Sequence, residues 1–319
     1  MKKTRELIEA HLKLVDVVVE VCDARIPVSS RNPIISELTA GKYRILILNK
    51  MDLADEEATK AWLGYFRAPI TGTVLLIDSP PDLAPATPIK STVPVIDSPP
   101  DLALALNAMS GQGVKTLFEK LEKIAAEKAA SGTRNAMLPL RFMVVGIPNS
   151  GKSSLINRLV GKRAAQVGDR PGVTRGKQWL SLENGMQLLD TPGILWPKFE
   201  DPKVGLNLAF CGSIKDEIMD VSELALELLR VLINDHAEVL EKRYGIAAGA
   251  GASGDHHGGE KETPDGTPDE ALAVMEEIAR KRGYILPGKR IDYERTARAL
   301  LDEFRAGKLG RITLELPGN

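Results

Sequence analysis

A segment near the middle of the chain combines glycines, a lysine and a serine at the spacing that phosphate binding requires. Residues 146–153 read GIPNSGKS and fit the pattern G-x-x-x-x-G-K-[ST]. Glycines in such a loop let backbone N–H groups curve around phosphates at the start of a helix. Lys152 would then reach the β- and γ-phosphates of a nucleotide, and Ser153 would ligate Mg²⁺. The other predicted nucleotide contacts of this loop are Asn149, Ser150, Gly151 and Ser154.

Two downstream segments carry the groups that would sense the terminal phosphate. Asp190 begins the sequence DTPG, in which it would hold Mg²⁺ through water while the N–H of Gly193 meets the γ-phosphate. Thr174, in RPGVTRG, lies between the two motifs and is expected to close on Mg²⁺ and the γ-phosphate as a first switch. The predicted catalytic residues are therefore Lys152, Thr174 and Gly193, and the predicted Mg²⁺ ligands are Ser153, Thr174 and Asp190.

A motif for reading the base lies upstream, where NKMD follows the apolar run YRILIL. The carboxylate of Asp52 would accept two N–H groups that guanine presents and adenine lacks. Asn49 would read the other edge of the base, and the stem of Lys50 would pack over the ring. Met51 completes the motif, which predicts a guanine nucleotide as the ligand.

A second segment for the base is predicted at Asn107 and Ala108, in the sequence NAMSGQG. Its backbone would contact the guanine carbonyl oxygen. The pair is weak as a signal on its own, and it gains weight because it follows one predicted strand and precedes a predicted helix. An ATP-binding P-loop protein is the competing interpretation, and it requires Asn49 and Asp52 to be incidental.

The motifs lie at the ends of predicted strands, and strands alternate with helices. Runs of β-branched and apolar residues predict strands, and these cover residues 16–22, 43–48, 102–106, 141–145 and 186–189. Helices are predicted over residues 56–65 and 114–130 and, beyond Trp196, over residues 222–244, 269–282 and 293–305. The expected fold is α/β, with a doubly wound, mostly parallel sheet followed by a small all-α domain.

The chain is long enough for two domains. We expect a nucleotide-binding domain over residues 1–200 and a helical domain over residues 201–319. An insertion at residues 70–101 carries a repeat, IDSPPDLA, which begins at Ile77 and recurs 19 residues later. The repeat is interpreted as a duplicated surface insertion, and a partner-binding loop is the alternative. Residues 245–268, which are rich in Gly, Pro and charge, are predicted to form a flexible loop.

The composition is that of a globular protein and argues against several other classes. The formal net charge is −1, so any nucleic-acid contact must come from a local patch. Residues 281–319, with nine Lys/Arg and five Asp/Glu, offer one. Cys22 and Cys211 form no Cys-x-x-Cys pair, which argues against structural zinc and fits a reducing cytosol. The charged N-terminus does not read as a signal peptide, and no apolar run reaches the roughly 20 residues of a membrane span.

The five motifs resemble those of the translation-factor-like GTPases, but they run in a circularly permuted order. The usual order is P-loop, switch threonine, DxxG, N-K-x-D and then the alanine-containing loop, whereas here the last two come first. The chain is similar over nearly its whole length to the ribosome-assembly GTPases of the ribosome biogenesis GTPase A (YlqF-type) family. The segments that carry the resemblance are LVDVVVEVCDARIPVSSRNP, LNKMDLAD, VVGIPNSGKSSLIN, PGVTRGKQW, LLDTPGILWPKF and IDYERTARALLDEFRAGKLGRITLE.

The resemblance implies an activity and a set of partners. It implies a cytoplasmic GTPase that binds GTP and GDP, hydrolyses GTP with Mg²⁺ and assists late assembly of the large ribosomal subunit. The C-terminal helices would touch ribosomal RNA, and we expect the protein to act as a monomer. The alternative is a GTP-gated ribosome- or RNA-binding switch with negligible turnover of its own.

Three positions bear on how GTP would be hydrolysed. Ile194 follows Gly193 where many GTPases place a water-orienting Gln, so hydrolysis should be slow alone and stimulated by the ribosomal subunit. Asn149 resembles the asparagine of potassium-stimulated GTPases and is the candidate K⁺ ligand, a structural asparagine in a tight turn being the alternative. Relatives carry a Phe-Pro-Gly-His-Met stretch with a proposed catalytic His, which alignment places before Met1. No catalytic His is predicted, and His11 is expected on a solvated helix face.

Overall fold

The computed structural model of the protein describes residues 2–39, 41–67, 100–131, 137–161, 179–190, 201–246 and 269–318. Nearly all of the predicted insertion at 70–101 and of the predicted flexible loop at 245–268 lies outside the described residues. The chain forms two compact units. The first comprises residues 1–51, 56–197 and 315–319, and the second comprises residues 52–55 and 198–314.

These units differ from a single division at residue 200 by two short segments. Glu315 belongs with the first unit, where its carboxylate accepts the backbone N–H of Val28 at 2.6 Å. Residues 52–55 belong with the second unit, where the carbonyl oxygen of Leu53 accepts the N–H of Ile312 at 3.0 Å. Both exchanges depend on contacts between residues far apart in the chain.

A six-stranded sheet forms the centre of the first unit, with the strand order β3-β2-β1-β4-β6-β5. Every neighbouring pair is parallel except β5 and β6, which confirms the predicted mostly parallel sheet. The three-residue strand β5 was too short to be predicted from periodicity. The strands are β1 (Val17–Asp23), β2 (Tyr43–Asn49), β3 (Leu102–Ala105), β4 (Arg141–Gly146), β5 (Trp179–Ser181) and β6 (Gln187–Asp190).

Two apolar cores cover the sheet, one on each face. Alternate residues of β1 divide between them, since Val17 and Val19 pack in one cluster with Leu155, whereas Val18 packs in the other with Ile8. A strand buried on both faces has no polar alternation, which is why β1 reads as a continuous β-branched run. The helices of this unit are α1 (Lys2–Leu12), α2 (Pro33–Leu38), α3 (Glu56–Arg67), α4 (Val114–Ala130) and α5 (Lys152–Val160).

The prediction that His11 lies on a solvated face of α1 is wrong. Its side chain is only 6% exposed, and its neighbours Ile8 and Leu12 belong to the core on that side of the sheet. Ile8 lies three residues earlier, so the two side chains share one face of the helix. The charged residues around His11 suggested a solvated helix, but the sheet covers this stripe.

The second unit is helical, as predicted. Aspartates begin four of its helices, since Asp201, Asp220, Asp269 and Asp292 each accept backbone N–H groups of the first turn. The helices are α6 (Pro202–Phe210), α7 (Val221–Asp235), α8 (Ala237–Tyr244), α9 (Glu270–Arg282) and α10 (Tyr293–Arg305), with a 3-10 turn at Asp216–Ile218.

Two details of this unit correct the sequence analysis. The single helix predicted over residues 222–244 is broken at His236, whose φ of −145° lies outside the helical range, at the end of a run of poor helix formers, Asn-Asp-His. Beyond Trp196 only helices were predicted, yet a small antiparallel hairpin lies between α9 and α10. Its strands, β7 (Ile285–Leu286) and β8 (Arg290–Ile291), are two residues each and too short to show alternation. None of the helices within the described ranges is long and apolar enough to cross a membrane.

Candidate nucleotide-binding site

The glycine-rich segment forms the loop between β4 and α5. β4 ends at Gly146 and α5 begins at Lys152. Asn149 and Gly151 have left-handed backbones, with φ of 58° and 89°, so the chain turns sharply before the helix. A Cβ atom at Gly146 would lie 2.5 Å from the carbonyl oxygen of Val21 in β1, so a side chain there would push the loop off the sheet.

The first turn of α5 is suited to an anion. Gly151 occupies the N-cap position, no side chain among the described residues caps the helix, and the turn contains no acidic residue. Its backbone N–H groups and the helix dipole therefore favour a phosphate group at this end. Lys152 is 9% exposed, while the side chain of Ser153 is exposed to solvent.

Asn49, the last residue of β2, joins this loop to the second base segment. Its amide nitrogen donates to the carbonyl oxygen of Ser150 at 2.7 Å, and its amide oxygen accepts the N–H of Ala108 at 2.9 Å. The residue is 2% exposed, so both bonds are shielded from water. A Cβ atom at Gly151 would lie 2.1 Å from the amide nitrogen of Asn49, so the close approach requires glycine. Ser150 lies 101 residues and Ala108 lies 59 residues after Asn49 in the chain, and both bond to its side chain.

The predicted base contacts of Asn49 and Ala108 stay predictions, and the structure adds a role to each residue. The Asn49 amide, expected to read the edge of guanine, links two loops of the protein. The N–H of Ala108, expected to meet the guanine carbonyl, donates to Asn49 Oδ1. A guanine carbonyl oxygen approaching Ala108 would therefore compete with Asn49 for this donor.

Two side chains, one from the loop itself and one from α5, hold the loop that carries Ala108. Asn107 Oδ1 accepts the N–H groups of Met109 at 2.8 Å and Ser110 at 3.0 Å, which closes a turn. Arg158 of α5 donates to the carbonyl oxygens of Ala108, at 3.4 Å, and Met109. The helix that follows the phosphate loop thus also holds the second base segment.

Asp23 is a residue of the site that the sequence analysis did not select. It ends β1, is 1% exposed, and its Oδ2 lies 2.9 Å from the Nζ of Lys50. The guanidinium of Arg25 donates to both carboxylate oxygens of Asp23, at 3.0 and 2.8 Å. Burial alone would raise the pKa of Asp23, but the charges of Arg25 and Lys50 outweigh burial and hold that pKa well below its usual range. One signal was available, since Asp23 closes a buried strand as Asn49 closes the next.

The other predicted site residues are described in part. Met51 lies half-buried after β2, and the side chain of Asp52 is exposed. Asp190 ends β6, which pairs directly with β4, so its backbone lies beside the strand that leads into the phosphate loop. Thr174 and Gly193 lie outside the described residues.

A glycine-rich loop between a parallel strand and a helix, joined by one side chain to a base-reading motif that follows another parallel strand of the same sheet, defines a P-loop GTPase. The base segments end β2 and β3, whereas the phosphate loop follows β4, so the motifs are circularly permuted. Residues 141–245 match the family model described as a 50S ribosome-binding GTPase.

Comparison along the whole chain gives the family. Ribosome biogenesis GTPase A of Bacillus cereus is 37% identical over 99% of this chain and 92% of that protein. The protein of the same name from Bacillus licheniformis is 38% identical over 99% and 96% of the two chains. The crystal structure of GNP-bound YlqF from T. maritima superposes with a TM-score of 0.59 at 27% identity, covering 99% of each chain. The chain belongs to the ribosome biogenesis GTPase A family.

Proposed function

We propose that this GTPase binds GTP and GDP where β2, β3 and β4 end, hydrolyses GTP with Mg²⁺ and assists late assembly of the large ribosomal subunit. The observation that carries the proposal is the Asn49 side chain, which is hydrogen-bonded to Ser150 of the phosphate loop and to Ala108 of the base loop. A nucleotide has both a phosphate end and a base end, so a single site needs these loops joined. Family membership supports the role in ribosome assembly.

At the phosphate end, Lys152 would place its charge on the β- and γ-phosphates. Ser153 and Asp190 offer the oxygen ligands that Mg²⁺ prefers, since Ser153 is exposed in the first turn of α5 and Asp190 ends the strand beside β4. Mg²⁺ would neutralise charge on the phosphate oxygens. Thr174 and Gly193 are proposed to close on the γ-phosphate.

At the base end, the exposed carboxylate of Asp52 would accept the two N–H groups on one edge of guanine. The stem of Lys50 would cover the ring. The N–H of Ala108 would leave Asn49 Oδ1 and donate to the guanine carbonyl oxygen instead. This set of contacts distinguishes guanine from adenine, because adenine presents neither the paired N–H groups nor the carbonyl.

We propose that turnover is slow alone and is stimulated by the ribosomal subunit and K⁺. Ile194 has no polar group with which to orient water. Asn149 is exposed in the phosphate loop and would hold K⁺ there. Its left-handed backbone equally suits an asparagine retained for the turn, so an Asn149→Gly variant, which keeps the turn and removes the amide, separates the two roles.

We propose that the protein is cytoplasmic and monomeric and that its second unit makes the ribosomal contact. The β7–β8 hairpin carries two exposed basic residues, Lys289 and Arg290, in the segment with excess positive charge. Basic groups of this kind bind phosphates of RNA with an affinity that falls as salt rises. The proposed partner of this face is the ribosomal RNA of the large subunit.

The experiment measures GTP hydrolysis by the full chain with and without large ribosomal subunits, in K⁺ and in Na⁺ buffer. We expect slow turnover alone, acceleration by subunits, and a further acceleration when K⁺ replaces Na⁺. Asn149→Gly, which keeps the left-handed turn, should lose the K⁺ response and keep the response to subunits. Rates that subunits leave unchanged would instead favour the GTP-gated ribosome- or RNA-binding switch with negligible turnover.

A further inference from the structure

We infer that Asp23 is a positioning residue for base recognition: its carboxylate holds the amine of Lys50 and so fixes the lysine stem where it covers the guanine ring. This inference rests on the proposed function, since it requires a guanine at the end of β2. In this role Asp23 does not contact the nucleotide. It acts through Lys50.

The geometry of the pair supports an anchoring role. The Nζ–Oδ2 distance is 2.9 Å, and the Asp23 side chain is 2% exposed against 23% for Lys50. A buried carboxylate needs its charge compensated. The buried carboxylate of Asp23 is therefore a strong partner for the Lys50 amine. A lysine stem has four rotatable bonds, and covering a ring requires it to lose most of that freedom. Asp23 removes the freedom before the nucleotide arrives, which favours binding.

Asp23 itself is held firmly enough to serve as an anchor. Its carboxylate is fixed by the two donors of Arg25, and its N–H donates to Ser30 Oγ at 3.0 Å. The next residue, Ala24, donates its N–H to the carbonyl oxygen of Asn49 at 2.8 Å, immediately before Lys50 in the chain. The ends of β1 and β2 are therefore bonded through both backbone and side chains.

A double-mutant cycle tests the inference, with fluorescent GDP as the probe and ADP as the competitor. Asp23→Asn and Lys50→Met should each weaken GDP binding about tenfold, and the double variant should be no weaker than either single variant. Non-additivity of this kind shows that the two residues act as one unit. Losses that multiply to about a hundredfold in the double variant would overturn the inference. Lys60→Met is the control, because this exposed lysine of α3 pairs with Glu56 and Glu57 and should leave GDP affinity within about threefold.

A second comparison leaves the buried carboxylate intact, should Asp23→Asn fail to fold. Met matches the apolar stem of Lys50 but has no charged end, whereas Arg keeps a charge that Asp23 can hold. Lys50→Arg should retain GDP affinity within about threefold while Lys50→Met loses about tenfold. Equal affinity of Lys50→Met and the unaltered chain would overturn the inference. If the unaltered chain itself fails to prefer GDP to ADP, the proposed function fails as well, so the two failures are distinguishable.

Discussion

The amide nitrogen of Asn49 lies 2.7 Å from the carbonyl oxygen of Ser150, so the residue that ends β2 is hydrogen-bonded to the loop that follows β4. The loop holds its place relative to the base segments through this bond. Because the side chain is buried and its oxygen accepts the N–H of Ala108, this one amide bonds to both the phosphate loop and the base loop.

Asn49→Ala should weaken both folding and nucleotide binding. The Ser150 carbonyl and the Ala108 N–H would lose their partner in a buried position, which costs about 1–3 kcal/mol for each unsatisfied group. We expect a lower free energy of unfolding in urea and at least a tenfold weaker affinity for GDP. Asn184→Ala is the matched control, since that exposed asparagine donates to Glu122 at the surface. Equal losses in the two variants would contradict the role of Asn49.

Gly151→Ala should displace Asn49, because the new Cβ would lie 2.1 Å from its amide nitrogen. The control is Gly283→Ala at the C-cap of α9, where the backbone is also left-handed (φ 68°, ψ 29°) and nothing lies within 4 Å of the added Cβ. Both variants bear the cost of a left-handed alanine, on the order of 1 kcal/mol. Only Gly151→Ala should also weaken GDP binding by more than tenfold in a fluorescence titration, and similar affinities in the two variants would argue against the predicted clash.

Asp52→Asn should change which base the site prefers. The Asn amide places an N–H donor where the carboxylate had an acceptor. The variant therefore loses one hydrogen bond to guanine and gains one to the 2-oxo group of xanthine, the base of xanthosine diphosphate (XDP). The ratio of GDP to XDP affinity should fall by at least tenfold. Competition titrations with both nucleotides give the ratio, and retained preference for GDP would exclude Asp52 as the base-reading carboxylate.

Lys152→Ala should abolish tight binding of any nucleotide, whichever base it carries. The lost interaction is with the phosphates, so GDP and XDP affinities should fall together. An exposed lysine of α4, Lys115, provides the control substitution. Calorimetry that found micromolar binding in Lys152→Ala would place the phosphates elsewhere.

Stability in the second unit should depend on pH through Glu303. Hydrogen bonds from Arg243, opposed by partial burial and assisted by Tyr244, lower the pKa of Glu303. A lowered pKa contributes stability that is complete above the unfolded value, about 4.3, and is lost as pH falls through the folded value. The difference in unfolding free energy between the unaltered chain and Glu303→Gln should therefore narrow from about pH 5 to pH 3. Glu238→Gln, on the exposed face of α8, should show no such narrowing in the same urea series.

Features set by local sequence were predictable. β1, β2 and β4 are buried on both faces, and such strands appear as mostly apolar runs whatever their partners. The phosphate loop was equally predictable, because its glycines are required by the backbone conformation of a segment of only eight residues. The order of the motifs along the chain was enough to predict the permuted sheet.

Features set by distant contacts were not predictable. The bond between Asn49 and Ser150 exists only once β2 and β4 lie in one sheet. Asp23 carries no motif of its own, and its importance emerges when Lys50 is found against it. The burial of His11 likewise depends on which stripe of α1 the sheet covers.

The position of β1 between β2 and β4 has a consequence for synthesis of the chain. Of the strands in this sheet, β1 leaves the ribosome first, and one of its edges pairs with β2 soon afterwards. The other edge waits for β4. Val17 of β1 and its partner Phe142 of β4 are 125 residues apart, so at typical translation rates that edge stays open for roughly 6 to 25 s. During this interval the nascent chain carries one open edge of an apolar strand, and an open edge of this kind can pair with other chains and lead to aggregation.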